Sequence, residues 1–383
     1  MAMGGTRFLE PKFPGQRCLL AFDGGGIRGL ISLGILEAIE SDLAVGTRRG
    51  PDFRLSDYFD FIGGTSTGAI IAAGLSTGLT VKALIAFYRD AGALMFKKEI
   101  LLKRAWNIYE ADPLRLKLQE VLGESTTLGS ADIRTLLLIV TRNLTTDSPW
   151  PLTNNPFAKY NVRSRADCNL DLPLWQLVRA STAAPVYFPP EVVTLGPNSF
   201  VFVDGGVTPY NIPAFLMFRM ATAAPYKLQW PIGETKMMIL SVGTGSAPRL
   251  GPTGLNPDRT FVGVAQSIAG EMMNGMAYDQ DVNCRTIGRC SFGSEIDREI
   301  GTLVPDVPLV TDLGRQFLYA RYDPLLTREG LDDIGLKDVQ TERVATLDSV
   351  DAVDELLAVG RAYATKYVDP LKHFVPFHPA VRS

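Results

Sequence analysis

The sequence contains very little histidine. Its 383 residues include two, His373 and His378, both among the last eleven positions. Cysteine is also scarce, with no CxxC pair among Cys18, Cys168, Cys284 and Cys290. Structural and catalytic zinc sites need clustered His and Cys ligands, so no metal is predicted. So few cysteines indicate buried thiols in a reducing compartment, and we expect a cytoplasmic protein.

An excess of positive charge is missing as well. Lys and Arg total 38 against 41 Asp and Glu, which gives a net charge of -3. Nucleic-acid binding requires a basic face to neutralise phosphates, so it is not predicted. The first 17 residues lack the apolar core of a secretory signal. The uncharged window 61–81 holds five glycines and is too polar for a membrane-spanning helix.

A strand, a glycine-rich loop and a helix occur twice within the first 80 residues. The apolar run 18–22 ends at Asp23-Gly-Gly-Gly, and residues 55–62 lead into Gly-Gly-Thr-Ser-Thr-Gly. Further strands are predicted at 136–141, 200–203 and 237–242, and helices at 81–93, 113–122, 174–184 and 212–221. This alternation predicts an α/β fold, with a mostly parallel central sheet covered by helices on both faces.

The chain shows no convincing linker between domains. Residues 248–259 are rich in Gly and Pro and predict a loop. We therefore expect a core at 17–245 and a C-terminal, mostly helical extension at 246–383 that packs on the same domain.

Gly64-Thr-Ser66-Thr-Gly68 matches the G-x-S-x-G nucleophile elbow, in which glycines let a strand turn sharply into a helix. A second match, Gly74 to Gly78, surrounds Ser76. Ser76 follows a helical run and not a strand, so it is expected to end that helix. The context selects Ser66 as the candidate nucleophile.

The loop 23–29 has two interpretations. Consecutive glycines between a strand and a helix expose backbone N–H groups, the donors that an oxyanion needs. The same glycines can be read as a dinucleotide-binding G-x-G-x-x-G. That fingerprint needs an acid at the end of a second strand, whereas Glu40 and Asp42 fall at the end of the predicted helix. The oxyanion interpretation is favoured, and nucleotide binding stays open as the alternative.

Some group must take the proton of Ser66. Both histidines lie in a Pro-rich tail and are expected to be surface residues. Asp204 ends the predicted strand 200–203 just before two glycines, which places it on the same sheet edge as Ser66. A carboxylate within hydrogen-bond reach can act as a general base. A plain Asp-Gly turn is the alternative.

Together, DGGGIRG at 23–29, GTSTG at 64–68 and DGG at 204–206 resemble the patatin-like phospholipases. The segments 55–64, 180–190 and 238–245 resemble patatins in the same order, and the likeness fades after about residue 245. The resemblance implies a patatin-like variant of the α/β-hydrolase architecture. Patatins often have alanine where Gly206 stands.

The resemblance also implies a lipid acyl hydrolase of the phospholipase A2 type, with a Ser66–Asp204 dyad and an acyl-enzyme intermediate. The oxyanion hole would be formed by backbone N–H groups of Gly24, Gly25, Gly26 and Thr67. Supporting positions would be Arg28, Gly64, Gly68 and Gly205. No cofactor and no metal are implied.

The expected substrates are phospholipids or galactolipids, with peripheral membrane contact left open. Residues 94–109 mix large apolar and basic side chains, which fits an interfacial flap; a helix with a solvated basic face is the favoured interpretation. Three alternatives remain: an esterase of short soluble esters, a nucleotide- or cyclic-nucleotide-responsive binding protein, and a ligand-activated patatin effector. The sequence does not predict the oligomeric state.

Overall fold

A computed structural model describes residues 9–95, 112–185, 187–247, 275–297, 299–304 and 314–381. Its strands are β1 (Arg17–Phe22), β2 (Phe61–Thr65), β3 (Leu136–Asn143), β4 (Ser148–Thr153), β5 (Glu191–Leu195), β6 (Asn198–Asp204), β7 (Met237–Val242), β8 (Arg289–Phe292) and β9 (Leu318–Tyr322). Its helices are α1 (Gly29–Gly46), α2 (Thr67–Ser76), α3 (Val81–Met95), α4 (Asp112–Leu122), α5 (Leu174–Ser181), α6 (Ala214–Thr222), α7 (Arg328–Asp333), α8 (Thr341–Ala345), α9 (Val353–Tyr367) and α10 (Pro370–His373). Residues 275–287 are also helical.

The nine strands of the described residues form one sheet in the order β5-β6-β3-β2-β1-β7-β9-β8, with β4 paired to β3. Every neighbouring pair from β3 to β8 along this order is parallel. The pairs β3–β4, β3–β6 and β5–β6 are antiparallel. The predicted mostly parallel sheet is thus confirmed.

The central strands are rich in apolar residues because both faces of the sheet are covered. In β1, Cys18, Leu20 and Phe22 join one buried core, while Leu19 and Ala21 join the other. Successive side chains of a strand point to opposite faces, so one run supplies both cores. The first core includes residues of α1 to α5 and α9, and the second includes residues of α6. The prediction of helices on both faces is confirmed.

Residues beyond 245 contribute more than helices. Strands β8 and β9 complete one side of the central sheet, although the sequence predicts a mostly helical extension there. The helix α9 packs closely on α1, since a Cβ on Gly360 would lie 2.3 Å from the Ile31 carbonyl oxygen. The loop predicted at 248–259 lies outside the described residues.

Within the described part of the chain, no helix combines the length and the apolar character needed to cross a bilayer. Most of the segment 94–109, the candidate interfacial flap, falls outside the described residues.

Candidate active site

Ser66 stands alone between β2 and α2, on the sharp turn that the sequence predicts. Its backbone has φ 55° and ψ -124°, a left-handed conformation that a residue with a side chain rarely adopts. A Cβ on Gly64 would lie 2.0 Å from the Gly68 carbonyl oxygen, and a Cβ on Gly68 would lie 2.5 Å from the Phe22 carbonyl oxygen. Both flanking positions therefore require glycine, and the serine is left partly exposed.

The Ser66 hydroxyl donates a hydrogen bond of 2.6 Å to Oδ2 of Asp204. The second carboxylate oxygen, Oδ1, accepts the Gly206 N–H at 2.7 Å. Asp204 is only 4% exposed. A Cβ on Gly205 would lie 2.3 Å from the Val140 carbonyl oxygen, so glycine at 205 lets the chain pass close to β3.

Asp204 reaches Ser66 by a different route from the one the sequence suggests. The sequence suggests that β6 runs parallel to β2 and ends at the same edge. Instead, β6 is antiparallel to β3 and so runs opposite to β2. Pairing is confined to the last residues of both strands, with Asp204 opposite Thr141. Thr65, at the end of β2, lies opposite Val140, one residue earlier on β3. The two strand ends therefore converge at one edge from opposite directions.

Burial is the main cause that raises the pKa of Asp204, to about 6. The Ser66 hydroxyl, the Gly206 N–H and the positive charge of Arg179 each oppose that rise. The carboxylate is therefore mostly ionised at neutral pH and can accept a proton from the serine.

Two of the three glycine-loop N–H groups predicted to bind an oxyanion have no partner among the described residues. Those of Gly25 and Gly26 donate to no atom in the part of the chain that is described. The Gly24 N–H, in contrast, donates to the Asn211 carbonyl at 3.2 Å. Gly24 is nevertheless close to the nucleophile, because a Cβ there would lie 3.3 Å from the Ser66 Cβ and 2.3 Å from the Asn211 Oδ1. Of the three predicted glycine donors, two have an available N–H.

Thr67 begins α2, where the first N–H groups of a helix have no intrahelical partner. Its hydroxyl is held by the Tyr88 hydroxyl, which also donates to the Thr67 carbonyl at 3.2 Å. The Ser66 N–H is not available, since it donates to the Ser181 Oγ at 2.9 Å. Ser181 in turn donates to the Val140 carbonyl at 2.6 Å.

Sequence reasoning missed two residues at this site, Ser181 and Asn211. Ser181 fixes the elbow, and Asn211 packs against Gly24. Ser181 lies within the segment 180–190, where the resemblance to patatins gave a signal. The contact of Asn211 comes from the approach of two loops that are far apart in sequence.

Arg28 extends away from the dyad. Its Nη1 donates to the Ala345 carbonyl at 3.3 Å, and burial lowers its pKa. The Ile27 N–H donates to the Leu347 carbonyl at 2.9 Å. The glycine loop therefore rests on a C-terminal segment, residues 345–347.

A buried ionic network lies directly before the glycine loop. Arg321 of β9 donates from Nη2 to Asp23 Oδ2 at 2.7 Å and to Asp323 at 3.1 Å. Burial raises the pKa of Asp23, and the charge of Arg321 lowers it. Asp323 also accepts the Gly245 N–H at 2.8 Å. Asp23, which directly follows β1 and begins the glycine loop, is thus fixed by its ion pair with Arg321.

The histidines are buried, so the expectation of surface residues is wrong. His373 shares a 2.8 Å hydrogen bond between its Nδ1 and the Tyr322 hydroxyl, and it stacks on Phe292. The His378 Nε2 lies 2.6 Å from Asp42 Oδ2. The α10 turn and the residues after it pack into the core, which orders this tail. Neither histidine bonds to Ser66 or Asp204.

The acids considered for a nucleotide site also have structural partners. Glu40 accepts the Val81 N–H at 3.3 Å, and Asp42 pairs with His378. All four cysteines are buried, and no disulfide forms among the described residues. In the same residues, no group of three or more His, Cys, Asp or Glu side chains is arranged to hold a metal ion.

The α/β sheet brings Ser66, on a strained turn, into contact with the buried Asp204 carboxylate. A hydroxyl beside a carboxylate is an arrangement found where a serine acts as a nucleophile. The family model described as patatin-like phospholipase matches residues 20–218, just over half of the chain. The chain belongs to the patatin-like phospholipase family.

Its relatives include patatin-17 of Solanum cardiophyllum, 32% identical over 254 residues that cover 61% of this chain and 62% of that protein. Patatin group M-3 of Solanum tuberosum is 31% identical over 245 residues, 60% of each chain. The match thus spans about three fifths of the length of these relatives. Among solved structures, human GIVD cytosolic phospholipase A2 has a TM-score of 0.40 at 12% identity and covers 94% of this chain and 63% of its own.

Proposed function

We propose that this protein is a serine carboxylic ester hydrolase, a lipid acyl hydrolase of the phospholipase A2 type. The observation that carries the proposal is the 2.6 Å hydrogen bond between the Ser66 hydroxyl and the buried Asp204 carboxylate. A nucleophile with its base already in hydrogen-bond reach is the arrangement that covalent acyl transfer needs. Membership of the patatin-like phospholipase family supports it.

In the proposed reaction, Asp204 Oδ2 takes the hydroxyl proton as Ser66 Oγ attacks the carbonyl carbon of an ester. The carbonyl oxygen becomes an oxyanion. The N–H groups of Gly25, Gly26 and Thr67 would stabilise it. Gly24 shapes this hole without donating, because its own N–H is bound to Asn211.

Collapse of the tetrahedral intermediate breaks the ester C–O bond, and the leaving alcohol receives the proton from Asp204. Water then attacks the acyl-enzyme with Asp204 as base, and the serine proton is restored when the fatty acid leaves. A pKa near 6 suits both roles, since the carboxylate is ionised at neutral pH yet basic enough to hold a proton briefly.

The proposed substrates are phospholipids or galactolipids, and the enzyme would contact their membrane peripherally. The choice of these lipid substrates is supported by membership of the patatin-like phospholipase family.

Covalent labelling tests the chemistry. A fluorophosphonate should react with the wild-type protein, and peptide mapping should find the label on Ser66. Ser66→Ala should lose labelling and turnover, and Asp204→Asn should lower kcat by about a thousandfold or more, because the base is removed while the fold survives. Retained turnover in either variant, or binding of dinucleotides without labelling, would contradict the proposal.

A series of ester substrates tests the lipid part separately. Hydrolysis should increase sharply when acyl chains become long enough to aggregate into micelles or vesicles. Equal rates on monomeric and aggregated esters would contradict the proposed lipid specificity, while the proposal that Ser66 is an esterase nucleophile would still hold.

A further inference from the structure

Arg179, in the last turn of α5, is buried in an unusual way. It is the largest side chain that the described residues bury almost completely, at 1% exposed. Its Nη2 donates to the Pro189 carbonyl at 3.0 Å, and its guanidinium carbon lies 5.4 Å from the centre of the Phe188 ring. Its Nε and Nη1 are buried and bond to no described atom. A buried cation without a bonded carboxylate is costly to keep.

The end of α5 touches both members of the dyad. Ser181 binds the Ser66 N–H, and the Ala183 carbonyl accepts the Asp204 N–H at 3.0 Å. Arg179 lies two residues before Ser181, and its charge lowers the pKa of Asp204, after the hydrogen bonds from Ser66 and Gly206. The costly cation is therefore placed at the site and not elsewhere in the core.

Burial lowers the pKa of Arg179, and the charges of three carboxylates on elements packed against α5 oppose that change: Glu191 of β5, Asp204 of β6 and Asp112 of α4. Glu191 accepts a hydrogen bond from Gln176 at 2.9 Å, and Asp112 pairs with Arg115 at 3.1 Å. Asp204 is the most buried of the three and has no bonded cation among the described residues. From α2 and β3 the residues beside Asp204 are the neutral Ser66 and Thr141.

A buried carboxylate without a bonded cation and a buried cation without a bonded carboxylate thus lie in adjacent elements. We propose that Arg179 is a positioning residue of the dyad, the counter-charge that keeps Asp204 ionised and able to accept the Ser66 proton. The inference rests on the proposed function and deepens it. Burial raises the pKa of Asp204 and the Arg179 charge lowers it, so removing that charge raises the pKa further.

The test is the pH dependence of kcat/KM on a short soluble ester, p-nitrophenyl butyrate, and of Ser66 labelling by a fluorophosphonate. Activity falls on the acid side as Asp204 takes up a proton. In Arg179→Met this acid limb should move up by about one pH unit, so activity on the limb drops roughly tenfold relative to wild type. Arg179→Lys keeps the charge and should leave the limb near its wild-type position.

Arg17→Met is the matched control. Arg17 also lies over an aromatic ring, 4.2 Å from Trp230, and is bonded to Asp60, but at the amino end of β1. Its removal should lower the melting temperature without moving the acid limb. An acid limb that stays in place in folded Arg179→Met would overturn the inference and leave Arg179 a packing residue.

If Arg179→Met does not fold, Arg179→Lys decides, because a folded charge-preserving variant with its limb moved up by a full unit would also contradict the inference. Failure of the proposed function looks different: the wild-type protein itself would neither hydrolyse the ester nor be labelled at Ser66.

Discussion

The two ends of the chain contribute differently to the site. Every atom proposed to react or to donate comes from the part before residue 245, within Gly25 to Asp204. The part after 245 supplies the supports: Arg321 pairs with Asp23, and the Leu347 carbonyl holds Ile27. The family match ends at residue 218, so these supports lie outside it. The proposed chemistry therefore lies within the matched range, while contacts that hold the glycine loop come from residues after it.

The largest expected effect comes from breaking the ionic support. Arg321→Met would leave Asp23, Asp281 and Asp323 facing one another without their shared cation. Loss of one partner from a buried pair costs about 3–5 kcal/mol, so the free energy of unfolding should fall by that amount. kcat should fall as well, because Asp23 leads directly into the glycine loop. Urea unfolding and ester turnover at a temperature where the variant is folded would measure both.

Arg361→Met is its control, since Arg361 also joins the two parts of the chain by pairing with Glu37, but on the surface. An exposed pair contributes about 0–1 kcal/mol. Equal losses in the two variants would show that the buried network has no special role.

The next effect comes from the contact between the glycine loop and the C-terminal segment. Gly26 has φ +60°, and a Cβ there would lie 2.2 Å from the Leu347 carbonyl oxygen. Gly26→Ala should therefore displace the loop and lower kcat about a hundredfold, the usual effect of losing an oxyanion donor. KM on a soluble ester should change little. Stopped-flow or steady-state hydrolysis would separate the two constants.

Gly50→Ala is the control for Gly26→Ala, because it introduces a side chain at a positive φ without a clash with neighbouring atoms. Gly50 has a similar φ of +54°, and a Cβ there would meet nothing within 4 Å. We expect a cost near 1 kcal/mol in stability and no change in kcat. A Gly26→Ala variant that behaves like Gly50→Ala would show that the C-terminal segment does not hold the loop.

A smaller effect is expected at the histidines. His373→Gln disturbs one buried hydrogen bond, to Tyr322, and His378→Gln disturbs two, with Asp42 and with the Ala380 N–H, so each should cost about 1–2 kcal/mol in stability. Neither should lower the rate of Ser66 labelling, because neither residue bonds to the dyad. A collapse of labelling in a folded variant would restore a histidine base.

Local signals predicted much of this molecule. The apolar runs of β1, β3 and β7 were predictable because these strands are buried on both faces. The strand β2 includes Gly63 and Gly64, which the sequence pattern placed in the loop. Glycines that a sharp turn needs indicated Ser66 and Asp204 as candidates, and the structure brings their side chains into contact, although the direction of β6 was not predicted.

What escaped prediction depends on long-range contacts. The strand β9 has the sequence Leu-Tyr-Ala-Arg-Tyr, and Arg321 interrupts its apolar pattern. Arg321 can be buried because it pairs with Asp23, but Asp23 lies 298 residues away and no local signal reveals the pair. The burial of His378 likewise depends on Asp42 in α1. A Pro-rich tail gives no local sign of such a partner, so composition alone pointed to the surface.

The smallest effect is expected at the second G-x-S-x-G serine. Ser76 ends α2 as predicted, is fully buried, and accepts the Thr135 hydroxyl at 3.0 Å. The single hydrogen of the Thr135 hydroxyl can instead be donated to the Leu136 carbonyl at 2.9 Å, so Thr135 keeps an acceptor in Ser76→Ala. We expect a loss of at most about 1 kcal/mol in stability and unchanged kcat and labelling. Thermal unfolding beside fluorophosphonate labelling would check it. Ser66 and Ser76 lie between Arg54 and Lys82 without a Lys or Arg between them, so one tryptic peptide holds both. Fragmentation of that peptide that placed the wild-type label on Ser76 itself would refute the expectation, because the Ser76 hydroxyl is buried in the core.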